Sequence, residues 1–157
     1  MNSAVGTVWN GFYGSPPIPV GTPVNGDWLN GVSYQANTTW LTYGKMSSFT
    51  APGPSSTWVI MDENPFSIND ASMAIPAAVT PTGGYLIDFP SGNHGNAAGI
   101  AFADGHSIIH TWKDPGETCN PQKFGVMEGL GGNGGGSHPV PNDPDCLYLA
   151  PITSAPR

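Results

Sequence analysis

The dipeptide Asp104-Gly105 constrains this 157-residue sequence more than any other feature, because it lies between two segments that alternate in character. A two-residue Asp-Gly loop favours a β-hairpin closed by a type I′ turn. Folding the chain on that turn sets Gly99 opposite His110 and Ala101 opposite Ile108. The opposite face then carries ordinary core residues, namely Ile100, Phe102, Ser107 and Ile109. The sequence therefore predicts a central antiparallel hairpin in which small side chains face large ones.

A wider motif surrounds this turn. His94 precedes Asp104-Gly105 with nine residues between them, and Trp112 follows. Upstream lie a Pro-Ser-Ser-Thr segment, a Val-Ile-Met-Asp-Glu segment and a Ser-Ile-Asn-Asp segment, at 54–57, 59–63 and 67–70. The combination resembles the signature of the prepilin-type, pilin-processing-associated proteins of planctomycete- and verrucomicrobium-like bacteria. The resemblance covers roughly residues 33 to 114.

The resemblance implies a pilin- or pseudopilin-like globular domain displayed outside the cytoplasm or on the cell envelope. Such a domain would be a structural subunit that associates with copies of itself, and also with other pilin-like subunits. Proteins of this family normally begin with a cleavable leader and a long apolar helix. No apolar run in this sequence approaches the roughly 18 residues that a membrane span needs.

Glycine and proline shape the rest of the prediction. The chain contains 22 Gly and 17 Pro, which suits short strands and many turns and works against long helices. We predict one mostly β domain over 1–157, built as a single antiparallel sheet or a small β-sandwich with long loops. It would comprise an aromatic and Pro-rich arm, a core, and a Gly-rich loop with a C-terminal strand, at 1–32, 33–114 and 115–157. Besides the hairpin, strands are expected at 33–45, 57–61, 77–79, 85–89 and 147–149.

Charge limits the classes of partner. Eleven acids against four bases give a net charge of −7, which disfavours nucleic acid and anionic membranes. Acidic groups could instead bind a hard cation. The candidate ligands are the acids at the end of one predicted strand and the residues around the hairpin turn: Asp62, Glu63, His94, Asp104 and His106.

Two interpretations of these five residues stay open. Imidazole with carboxylate suits zinc, and an all-oxygen set suits calcium or another divalent cation. Alternatively, His–carboxylate hydrogen bonds would fix the loop to the hairpin without any ion.

The two cysteines are Cys119 and Cys146. The extracellular setting implied by the resemblance, together with the scarcity of Lys, favours a disulfide between them. The alternative is a pair of unbonded, buried thiols.

Aromatic and polar motifs suggest contacts with partners. Trp9, Trp28 and Trp40 are candidate interface residues, whereas Trp58 and Trp112 are expected in the core. Asn37 begins an Asn-Thr-Thr sequon and is a candidate glycosylation acceptor.

Signals of catalysis are weak. The sequence contains no Gly-x-Ser-x-Gly nucleophile elbow. Nothing selects a carboxylate pair for glycoside hydrolysis. We therefore expect a structural protein rather than an enzyme. An extracellular carbohydrate-binding module that uses exposed Trp and Tyr is the alternative, and a metal-dependent hydrolase is a more distant one.

Overall fold

The computed structural model describes residues 29–31, 39–68, 73–79, 84–125 and 138–157. Within these ranges five strands form two antiparallel sheets. The strands are β1 Trp58–Met61, β2 Gly84–Leu86, β3 Ala97–Phe102, β4 Ser107–Thr111 and β5 His138–Val140. The helices are α1 Pro115–Thr118 and α2 Pro144–Thr153, with 3₁₀ turns at Met46–Ser48, Pro54–Ser56 and Pro121–Phe124. The mostly β character is confirmed, with the strands divided between two sheets.

The larger sheet has the order β1-β3-β4, so the predicted hairpin supplies its central strand and one edge. The smaller sheet pairs β2 with β5. The strand predicted at 57–61 is confirmed as β1. The strand predicted at 85–89 is observed as β2, which begins one residue earlier and ends three residues earlier than predicted. The segment predicted as a strand at 77–79 is not one; Ala77 and Ala78 donate their N–H groups to the carbonyl of Leu29 instead. Of the strand predicted at 33–45, residues 33–38 lie outside the described residues. Residues 39–45 are described and form no strand, so that part of the prediction is wrong; Trp40 makes only an isolated bridge with Pro156.

The hairpin turn differs from the sequence prediction. Phe102 N–H donates to the His106 carbonyl at 2.9 Å, and Gly105 N–H donates to the Phe102 carbonyl at 3.0 Å. The loop therefore contains three residues, and Gly105 is left-handed with φ of 94°. A type I′ turn would need positive φ at Asp104 as well, which the structure does not have. The expected two-residue loop is wrong, because a three-residue loop with glycine at its last position closes the hairpin.

The extra loop residue shifts the register of β4 by one. Gly99 pairs with Ile109 and Ile100 pairs with Ile108. Because side chains alternate along a strand, a shift of one residue exchanges the two faces. Ile100 and Phe102 are buried as expected, but the predicted core residue Ile109 is 67% exposed. Ile108 packs against the core in its place.

The main core lies between the inner face of the larger sheet and α2. Its buried residues are Trp58, Met61, Met73, Ile75, Ala98, Ile100, Phe102, Trp112 and Leu149. The two tryptophans predicted in the core are confirmed there, and both indole N–H groups are bonded. Trp58 donates to the Thr153 hydroxyl and Trp112 to the Ser91 carbonyl, each at 2.8 Å. These bonds remove the cost of burying an unpaired indole donor.

α2 replaces the strand predicted at 147–149. The Asp143 carboxylate accepts from the backbone N–H groups of Asp145 and Cys146, at 2.7 and 2.9 Å. Pro144 occupies the first helical position, where its missing N–H costs nothing. An Asp cap followed by Pro is a helix start signal, and it outweighs the apolar Leu-Tyr-Leu segment that favoured a strand. The strand prediction is therefore wrong.

The last residues of the chain are bonded to the segment around Trp40. Leu41 N–H donates to the Ala155 carbonyl at 2.9 Å, and Arg157 N–H donates to the Thr39 carbonyl at 2.8 Å. Trp40 and Pro156 form the bridge between these bonds. Within the described residues, no helix is long and apolar enough to cross a membrane.

We predict that Asp143→Ala destabilises the protein by about 1–2 kcal/mol, because it removes a helix cap. It also removes an acceptor for the buried Thr118 hydroxyl. Urea unfolding followed by Trp fluorescence measures the change. Asp143→Ser, which keeps a capping oxygen, should retain most of the stability, and an equal loss in both variants would contradict the capping role.

Candidate functional site

The outer face of the larger sheet carries a shallow apolar trough of about 330 Å³. Gly99 and Ala101 of β3 form its floor, since they have the smallest side chains available. Ile60 of β1 and Ile109 of β4 form its walls, and they are 59% and 67% exposed. The outer sheet face thus presents two exposed isoleucines on either side of a floor of small residues.

Asp62 closes one end of the trough. Its backbone N–H donates to the Gly99 carbonyl at 3.1 Å, and its carboxylate Oδ2 accepts from the Gly99 N–H at 2.9 Å. A Cβ at position 99 would lie 3.0 Å from that oxygen. Glycine therefore allows the carboxylate to lie directly over β3. His94 Nε2 lies 3.2 Å from the same oxygen, and both side chains are about half exposed.

The second His–carboxylate pair lies at the hairpin turn. Asp104 Oδ1 accepts from the His106 backbone N–H at 3.1 Å and lies 2.6 Å from His106 Nδ1. The His106 ring stacks on Phe102, with centroids 4.3 Å apart. The backbone N–H and then the ring of His106 lower the pKa of the Asp104 carboxyl. This pair is local to the turn and fixes the loop conformation.

The structure thus places the five candidate metal ligands differently from the single cluster expected. His94 pairs with Asp62 and His106 pairs with Asp104, while Glu63 forms a backbone bridge with Pro90. In the part of the chain that the structure describes, no three His, Cys, Asp or Glu side chains come together as a metal site would need. The four residues other than Glu63 therefore form two separate His–carboxylate pairs, and the metal site stays a prediction.

The disulfide expected between Cys119 and Cys146 is not formed in the structure, and both residues are free thiols. Cys119 Sγ lies 3.7 Å from the Ser91 carbonyl, whereas Cys146 Sγ lies 3.8 Å from the Tyr85 carbonyl. The two side chains pack against different apolar clusters. Burial raises the pKa of the Cys119 thiol to about 12 and also raises that of Cys146, so both stay protonated at neutral pH.

The remaining candidates fall into two groups. Trp9, Trp28 and the sequon residue Asn37 lie outside the described residues. Trp40 is described, and it is half-buried. Its indole N–H donates to the Asn30 side-chain oxygen at 2.8 Å, so its polar edge is used within the molecule.

A buried polar cluster at the end of β4 was missed by sequence reasoning. Asp145 is fully buried and accepts from the backbone N–H groups of Lys113 and Asp114 and from the Thr118 hydroxyl, all within 3.0 Å. It therefore ties α2 to the chain that leaves the sheet. The only sequence signal was an Asp in the first turn of an unrecognised helix.

His110 is the titratable group of β4 beside this cluster. Its ring stacks on Tyr148 of α2, with centroids 3.9 Å apart, and its Nε2 lies 3.9 Å from Asp145 Oδ1. Desolvation lowers the pKa of His110, opposed by the charge of Asp145. The ring is therefore neutral at neutral pH and acts as an apolar surface for Tyr148.

Comparisons with protein-family profiles, with curated proteins and with solved structures found no match to this chain.

We predict that Gly99 and Asp62 are energetically coupled. In the Asp62→Ala background, Gly99→Ala should stabilise the strand by about 0.5–1 kcal/mol, because glycine is the poorer strand residue. With Asp62 present, Gly99→Ala displaces the Asp62 carboxylate, so the substitution should not give this stabilisation. A double-mutant cycle measured by urea unfolding gives the coupling energy. Additive effects would show that the contact does not require glycine.

We also predict that stability falls as pH falls through the histidine range. The pKa of His110 in the folded protein is lowered below its ordinary value of 6.5, so the unfolded chain binds its proton more readily. The contribution is complete above about pH 6.5 and is lost as pH falls through the folded pKa. Urea unfolding at pH 7.5 and 5.0 measures the loss. His110→Phe keeps the stack on Tyr148 and should show a smaller loss than the wild type; an equal loss would remove His110 as the cause.

Proposed function

We propose that this protein is a structural subunit that acts by associating with copies of itself, in a pilin-like assembly outside the cytoplasm or on the cell envelope. The observation that carries the proposal is the apolar trough between Ile60 and Ile109. The motif of His94 and Asp104-Gly105 supports the pilin-like setting. In this account the protein works through contact with neighbouring subunits rather than through turnover of a substrate.

Charge indicates where copies of this chain can meet. Two molecules that each carry a net charge of −7 repel, and the repulsion is least where their surfaces are uncharged. The floor and walls of the trough carry no ionisable side chain, and Asp62 lies only at one end. Association through this face should strengthen as salt screens the remaining repulsion.

The carbohydrate-binding alternative draws no support from the described tryptophans. Trp58 and Trp112 are buried, and the Trp40 indole is bonded to Asn30. Tyr85 is 38% exposed, but it is a single aromatic side chain, whereas the trough offers two exposed isoleucines on one face. We therefore retain self-association as the proposed function.

Concentration-dependent sedimentation of the full chain, with negative-stain electron microscopy of the same samples, tests this function. Ile60→Glu and Ile109→Glu should each reduce association by about tenfold or more, because each buries a charge without a partner. Ile68→Glu is the matched control, since Ile68 is 50% exposed but does not line the trough.

The proposal requires the control to assemble like the wild type. Chains that stay monomeric at every concentration would contradict self-association. An equal effect of all three substitutions would show that added charge, and not the trough, controls assembly.

A further inference from the structure

In the part of the chain that the structure describes, no strand lies along the outer edge of β4. Within the described residues β4 pairs with β3 alone, so one row of its backbone groups has no strand beside it. The His106 carbonyl accepts from the Phe102 N–H of β3, and the Trp112 N–H donates to the carbonyl of Asn96, the residue before β3. Because bonded positions alternate in an antiparallel ladder, the backbone N–H and carbonyl groups of Ile108 and His110 also point toward β3. The N–H and carbonyl groups of Ser107, Ile109 and Thr111 therefore point away from the sheet.

This edge lacks the features that normally prevent edge-to-edge pairing. Such features are lysine, proline, a bulge or an inward-pointing charge. β4 contains none of them, and its one ionisable residue, His110, is held neutral against Tyr148. The opposite edge of the same sheet differs, since β1 has a register irregularity between Trp58 and Ile60. A bulge of that kind disrupts the ladder that a second strand would need.

The sequence of β4 is also self-complementary. In an antiparallel pair of two copies centred on Ile109, each Ile109 lies opposite its equivalent and each Ser107 opposite Thr111. All three positions have outward-pointing backbone groups, so the pairing would form about six hydrogen bonds. Ser and Thr pair well across strands, as do two β-branched residues.

The charges at the two ends of such a pair are complementary. Lys113 follows β4 and is exposed, and Asp104 precedes β4 and is exposed. The Lys113 N–H is already bonded to Asp145, so the ladder between the copies would end at Thr111. The exposed Lys113 side chain of one copy then lies near the hairpin turn of the other, which carries Asp104. A base therefore meets an acid at each end, which selects this register for two chains that are otherwise both acidic.

We propose that two copies of this chain associate through β4, edge to edge and antiparallel. A two-fold axis at Ile109 relates the copies, and the pairing joins two three-stranded sheets into one sheet of six strands. This inference rests on the proposed self-association and specifies its contact. The axis keeps the outer faces on one side, so the two troughs become neighbours with both Ile109 side chains at the centre. A two-fold contact closes on itself. Larger assemblies would then grow from dimers through the combined apolar face.

Substitutions at Thr111 test the backbone contact separately from side-chain chemistry. Thr111→Pro removes an outward N–H that the molecule's own ladder does not use, and proline is tolerated at such positions. It should lower the dimer association constant by about tenfold or more. Thr111→Val keeps the N–H and should assemble like the wild type. Sedimentation velocity of the full chains gives the constants, and near-ultraviolet circular dichroism checks the fold.

A spin label supplies a second measurement that does not depend on the proline variant folding. Ile109→Cys carries a nitroxide, since the native Cys146 thiol is buried, the Cys119 thiol is half-buried, and both keep their protons. Two-fold pairing places the two labelled Cα atoms about 5.5 Å apart, so the spectrum should broaden as dimers form. A label at Tyr85→Cys, exposed on the other sheet, should not broaden in the dimer.

The outcomes separate the two proposals. A wild-type chain that stays monomeric overturns self-association altogether. A wild type that assembles, with a folded Thr111→Pro that assembles equally well, overturns the edge contact alone. Assembly without broadening at position 109 also overturns the edge contact. Loss of dimers in the proline variant, or broadening confined to position 109, supports it.

Discussion

The three-residue loop that joins β3 to β4 is the constraint on which the larger sheet depends. Gly105 has a left-handed backbone conformation, and the loop contains one residue more than a type I′ turn would. That single residue decides which isoleucine of β4 faces the core. Ile108 packs inside and Ile109 lies in solvent, so the loop geometry produces both a closed core and an apolar outer wall.

The inner and outer faces of this sheet have different physical roles. On the inner face, α2 covers the strands, and Asp145 ties the helix to the chain that leaves β4. Trp58 bonds to Thr153 in the last turn of the same helix. The outer face has no such cover among the described residues, and its floor of Gly99 and Ala101 leaves space between the two isoleucines. Rigidity on one face supports a fixed contact surface on the other.

Local signals in the sequence predicted local structure. Asp104-Gly105 predicted the hairpin, but it is compatible with a two-residue or a three-residue loop. The hydrophobic pattern could not decide the register of β4, because Ile108 and Ile109 are adjacent and either register buries one of them. The cap formed by Asp143 with Pro144 was readable in the sequence, yet a short Leu-Tyr-Leu segment suits a strand equally well.

Features that depend on distant parts of the chain could not be predicted in the same way. The pairing of His94 with Asp62 requires knowing which strand ends meet, and the candidate ligands separate into two pairs for that reason. The trough requires the register of both strand pairs, because its walls come from β1 and β4 and its floor from β3. The positions of the two cysteines depend on how α1 and α2 pack, which spacing alone does not give.

Measuring the register of β4 against β3 tests the proposed surface most directly. In dilute solution, nuclear Overhauser contacts between α-protons report residues that face each other without hydrogen bonds. The account predicts a strong contact between the α-protons of Gly99 and Ile109, with Ile109 outside. A strong contact between Ile100 and Ile109 instead would place Ile109 in the core, remove the trough's outer wall and contradict the proposed surface.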